Sequence, residues 1–91
     1  MRIGIMTDME GLAGLDHWDQ CYAPDDNAPE YLHGLAQLAA DVNATIAGCF
    51  DAGATEVVVW DGHGRNAQRA FTRVQLDPRA VHKKVIRGAP I

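Results

Sequence analysis

The stretch Thr55-Glu56-Val57-Val58-Val59-Trp60-Asp61-Gly62-His63 decides the fold. Three consecutive valines give a strand over 55–60 with no alternation between apolar and polar positions. A strand with one wet face would alternate. This one reads as buried on both faces, the habit of parallel sheets sandwiched by helices. The run stops in Asp61-Gly62-His63-Gly64, where two glycines end the strand and leave a carboxylate and an imidazole at its carboxyl end.

Moving back along the chain, residues 29–53 carry a helical pattern. Leu32, Leu35, Leu38 with Ala39, Val42, Ile46 and Phe50 recur at steps of three or four, giving one apolar stripe. Asn27 can cap the first amides, Pro29 suits the first turn with Glu30 beside it, and Gly53 ends the helix in a left-handed cap. Gly34 and Gly48, with Ala36, Ala40, Ala44 and Ala47, predict close packing against a sheet or a second helix. Residues 2–7 (RIGIMT) form a first strand, and 8–28, with two glycines and a proline, form a loop. The order strand, helix, strand is a βαβ unit, which expects a right-handed crossover. Further on, 66–74 reads as a poor helix or an irregular segment, Pro78 as a turn, and Lys84 to Arg87 (KVIR) as a third strand.

The fold class expected is α/β, a parallel βαβ-based sheet within a truncated three-layer α/β/α architecture, and residues 1–91 form a single domain. One helix covers one sheet face while Val57 to Val59 ask for cover on both. That mismatch predicts a homo-oligomer, most simply a two-fold dimer over the exposed face.

Composition narrows the partners. The formal net charge is −4, with 22% charged residues, which disfavours nucleic acid and anionic membranes. Arg65, Arg69, Arg73, Arg79, Lys83, Lys84 and Arg87 are spread among apolar residues and read as a solvated surface. No segment reaches the roughly 20 apolar residues of a membrane span. Cys21 and Cys49 lack CxxC spacing, so a reduced, cytoplasmic chain is expected.

The chemistry sits where open parallel sheets bind ligands, beyond the carboxyl ends of the strands. The first strand runs into Asp8-Met9-Glu10-Gly11 and the second into Asp61-Gly62-His63. In extended chain, residues two apart share a side at roughly 6.6 Å. Adjacent strands would thus bring Asp8, Glu10, Asp61 and His63 toward one crevice. Carboxylate oxygen with imidazole nitrogen suits Zn²⁺, Mn²⁺ or Fe²⁺ better than Ca²⁺, and zinc is the first choice. Such an ion polarises a carbonyl and lowers the pKa of bound water to about 7, as amide hydrolysis requires.

Taken singly, Asp8 fits an Asx-turn, Glu10 a solvated loop and His63 a structural histidine. The recurrence of the two motifs on two strands of one unit favours the metal. Cys21 could reach the crevice but reads as a small free side chain, and Trp60 is expected against the helix. His33 is expected on the helix surface, and His82 before the third strand. Phosphoryl transfer would want Asp at both first-strand positions and Ser or Thr after the second strand, where this chain has Glu10 and Asp61.

The run Thr7-Asp8-Met9-Glu10-Gly11-Leu12-Ala13-Gly14, followed by Ala52-Gly53-Ala54, Thr55-Glu56-Val57-Val58-Val59, Asp61-Gly62-His63 and Val85-Ile86-Arg87-Gly88, resembles the zinc-dependent D-aminopeptidase family of the bacterial dipeptide-transport operon. The resemblance covers nearly the whole chain. It implies a two-zinc metallopeptidase fold of which these residues are the N-terminal part, acting on short peptides, D-residues at the N-terminus included. Carried over, Asp8, Glu10 and His63 are metal ligands, with Asp8 bridging and Asp61 orienting His63 or its loop. It also implies rings of subunits. The family's further histidine, glutamate and cysteine have no match here, so one ion rather than two is expected. A non-catalytic structural or assembly piece is the second reading.

Overall fold

The computed structural model describes residues 1–8, 12, 15, 29–62 and 74–83. Within them the chain forms β1 (Arg2–Thr7), α1 (Pro29–Asp51), β2 (Glu56–Asp61) and β3 (Val81–Lys83). The strands lie in one sheet in the order β1-β2-β3, and both pairs are parallel. This is the α/β arrangement expected, with the sheet and one helical layer described.

Burial on β2 follows the reading of the valines: Val57 and Val59 are fully buried and Val58 is 6% exposed. Val57 and Val59 join Tyr31, Leu35, Leu38, Val42 and Ile46 of α1 in one core, with Ile3 and Ile5 of β1 packed against it. Each fully buried aliphatic side chain contributes about 1.5–3 kcal/mol. Tyr31 and Gly34 are buried as well, whereas Leu32 at 42% exposure lies outside the core. Ala36, Ala40, Ala44 and Gly48 are exposed, so within the described residues they have no close neighbour of the kind expected.

The helix ends as its sequence dictates. Gly53 has φ of 100°, its N–H donates to the Phe50 carbonyl at 3.0 Å, and that of Ala54 donates to Cys49, also at 3.0 Å. This paired closure requires a left-handed residue at the cap. The chain then enters β2 beside the start of β1. The Thr55 N–H donates to the Met1 carbonyl at 2.8 Å, and Arg2 meets Glu56 at 2.9 Å.

Two expectations change. Trp60 does not pack on the helix. It belongs to the even-numbered residues of β2, which face away from Val57 and Val59, and its ring lies over Gly4, where an added Cβ would stand 2.8 Å from Cζ3. His82 does not precede the third strand but sits within it, opposite Val59. The expected strand at 84–87 lies outside the described residues, as do Asn27 and the segment 66–73.

The approach to β3 is anchored on α1. Asn43 donates from Nδ2 to the Gln75 carbonyl at 2.8 Å and accepts at Oδ1 from the Asp77 N–H at 2.6 Å. Arg79 meets the Asp77 carboxylate at 2.8 Å and lies 4.6 Å from the Phe50 ring centroid. This pairing holds the Asp77 carboxyl below the usual carboxylate range and raises Arg79.

Candidate metal centre

The two motif-bearing strands end side by side. Thr7 is opposite Asp61 in the register. Its hydroxyl donates to the Trp60 carbonyl at 3.3 Å, and its own carbonyl accepts the Gly62 N–H at 2.7 Å. Thr7 is the buried polar residue of the described core, 6% exposed, and these bonds account for its polar groups facing β2. The D-G-H motif is thereby tied to the residue immediately before Asp8.

Glycine fits closely at the middle of that motif. A Cβ on Gly62 would stand 2.9 Å from Met6 Sδ and 3.0 Å from the Thr7 carbonyl oxygen. The second contact is with backbone that Gly62 itself holds. A side chain here would displace the Met6 thioether and push the strand ends apart by a few tenths of an ångström.

The register also refines the sequence argument. With Thr7 beside Asp61, Asp8 falls beside Gly62, so the two acidic positions are offset by one residue. Strict pleating would carry DxE and DxH to alternate sides. Convergence therefore depends on the chain leaving the extended form after Thr7 and Asp61, which is where both strands end.

Of the expected ligands, Asp8 is described. It is exposed and lines a cleft of about 300 Å³ between the end of β1 and the middle of α1. Ile5, Leu12 and Val42 supply apolar wall, and Asp41 and Thr45 polar wall. Asp41 is set in place by Gln37 Nε2, which donates to Oδ1 at 2.9 Å, and its carbonyl accepts the Thr45 hydroxyl, also at 2.9 Å. Sequence reading passed over both residues. The available signal was a polar pair four residues apart, bordering the apolar stripe of α1.

Glu10 and His63 lie outside the described residues, and Asp61 is the last residue of β2. Among the described residues no three metal-binding side chains are grouped. Asp8 fits a divalent ion by chemistry and placement, being an accessible carboxylate at a strand end. A bound zinc would supply a Lewis acid and a water of lowered pKa at that position.

These features define an α/β protein whose candidate site is built at the carboxyl ends of two adjacent parallel strands. Residues 1–90 match the peptidase M55 family, D-aminopeptidase, and the chain belongs to that family. No curated protein matches it. Among solved structures it is similar to the zinc-dependent D-aminopeptidase DppA from Bacillus subtilis, a self-compartmentalizing protease. The two share 30% identity at a TM-score of 0.72, over 91% of this chain and 28% of that one. The chain thus spans less than a third of that relative's length.

Proposed function

We propose that the chain is the N-terminal, metal-holding part of a zinc-dependent aminopeptidase fold, and that Asp8, Glu10 and His63 bind one zinc ion with Asp61 orienting His63 or its loop. The observation that carries this reading is the 2.7 Å bond from the Gly62 N–H to the Thr7 carbonyl, which holds the D-G-H motif against the residue that precedes Asp8. Family membership supports zinc as the metal and short peptides, those with D-residues at the N-terminus included, as the substrate class. The self-compartmentalizing description of the relative supports assembly into a homo-oligomer, and a cytoplasmic site of action agrees with the lack of CxxC spacing between Cys21 and Cys49.

The chain's own residues have separable tasks in this scheme. Asp8 supplies a ligand oxygen, and Gly62 keeps the two strand ends in register. Asp41 and Thr45 place polar groups in the cleft beside Asp8. A structural or assembly role, in which the fold is kept without catalysis, is the second reading.

The test is zinc stoichiometry after dialysis against a weak chelator. One ion per wild-type chain and none in His63→Ala are expected. Equal content in the two would sink the ligand assignment. Chelator-sensitive turnover of a D-alanyl peptide would set the structural reading aside.

A further inference from the structure

Asp41 and Thr45 stand four residues apart on α1, each one place before a core residue, Val42 and Ile46. A helix turns by about 100° per residue, so both flank the apolar stripe, on the side toward the end of β1. Pleating sends the Thr7 side chain to the face of β1 that Ile3 and Ile5 turn to the core. The three polar side chains line one cleft of about 300 Å³, with Ile5, Leu12 and Val42 as its apolar wall.

The hydrogen bonds of this cleft run in one direction. A hydroxyl has a single proton and two lone pairs. The Thr45 proton goes to the Asp41 carbonyl at 2.9 Å and the Thr7 proton to the Trp60 carbonyl at 3.3 Å. Each hydroxyl is left with lone pairs alone to offer a ligand. The Asp41 carboxylate accepts from Gln37 Nε2 at Oδ1, at 2.9 Å, and Oδ2 takes no bond among the described residues. Gln37 is neutral, so this bond orients the carboxylate and leaves its charge uncompensated.

A ligand that suits these groups donates hydrogen bonds and carries positive charge. A carboxylate or phosphate would set oxygen against oxygen beside a like charge. A primary ammonium has three N–H donors and no acceptor. Ile5, Leu12 and Val42 call for carbon next to that charge, which a bare metal ion lacks. We propose that the cleft binds the free α-ammonium and first side chain of a peptide, with Asp41 as the charged partner of the ammonium and Thr7 and Thr45 as further acceptors. The choice of a peptide terminus among amines rests on the aminopeptidase reading, whereas the preference for an ammonium rests on Asp41, Thr7 and Thr45. The same groups reject an N-acylated terminus, which has lost its charge and two of its N–H donors and would leave Asp41 desolvated without a counter-charge.

The test is a chemical-shift titration of the purified chain with D-alaninamide at about pH 6, where an α-amino group is charged. The backbone amides of Ile5, Thr7, Asp41, Val42 and Thr45 are expected to move, and N-acetyl-D-alaninamide should leave them in place. Asp41→Asn keeps an acceptor for Gln37 and removes the charge, and it should weaken D-alaninamide binding by about tenfold. The comparison of the two amides needs no variant, so it decides the matter if Asp41→Asn does not fold. Binding should persist after chelation. Absent shifts at these amides, equal binding of the acetylated amide, or undiminished binding by a folded Asp41→Asn chain overturns the proposal. Binding lost on chelation also overturns it, because the ammonium would then sit on a metal. A chain that holds no zinc yet keeps the shifts refutes the metal assignment alone, and a zinc-loaded chain without them refutes this cleft alone.

Discussion

A Cβ on Gly62 would stand 2.9 Å from Met6 Sδ and 3.0 Å from the Thr7 carbonyl oxygen, so the Met6 side chain must shift and the 2.7 Å bond from the Gly62 N–H to that oxygen must lengthen by a few tenths of an ångström. Gly62→Ala should therefore cost about 1–3 kcal/mol, the range for forcing extra volume into a packed site. It should also weaken zinc binding with all three proposed ligands intact, since their spacing depends on the strand ends. Thermal unfolding and a zinc titration check both effects, and a variant unchanged in both refutes the role given to this contact. Gly48→Ala is the matched control: the space around its Cβ is open, so it should stabilise the helix by about 1 kcal/mol. Sequence spacing identified the acidic and histidine positions around Gly62 but treated the glycine as a spacer. Its close fit comes from a neighbouring strand, which no local pattern records.

Helix and strands differ in how much of their placement is written locally. The ends of α1 at Pro29 and Asp51 were readable from a proline, a three-and-four apolar spacing and Gly53, all within one segment. β3 was not: Val81, His82 and Lys83 have no apolar run, and pairing with Val58 to Trp60 makes them a strand. Trp60 was misplaced for a related reason, because hydrophobicity alone does not say which face of the sheet an aromatic ring takes. The approach to β3 depends on Asn43, so Asn43→Ala should lose two hydrogen bonds and about 1–3 kcal/mol. Amide exchange should quicken at Asp77 and across 81–83, and unchanged protection there would contradict the anchoring. Asp77 adds a pH dependence. Arg79 lowers its folded pKa by donating to the carboxylate, so its stabilising effect is complete above the unfolded pKa and lost as pH falls through the folded one. The stability difference between wild type and Asp77→Asn should be greatest near neutrality and shrink below about pH 4. The pair lies at the surface, with Arg79 exposed and Asp77 half-buried, so its effect is small.

For the whole molecule, a chain of 91 residues buries a modest core, and a ligand held between two strand ends then carries much of the net stability. Zinc bound by the folded state and not by the unfolded one adds about 2.7 kcal/mol at a free concentration a hundred times Kd. In a chain of this size that raises Tm by roughly 10–20 °C. The proposed site would join β1 to β2, so the gain should appear in the global transition rather than in a local one. Cooperative unfolding should move upward as one step on adding zinc and return on chelation. Asp8→Asn separates the proposed site from incidental binding: it removes a ligand charge from an exposed side chain and leaves the core of α1 and β2 untouched. Its rise in Tm on adding zinc, measured from its own metal-free Tm, should fall sharply. An undiminished response would place the zinc away from Asp8.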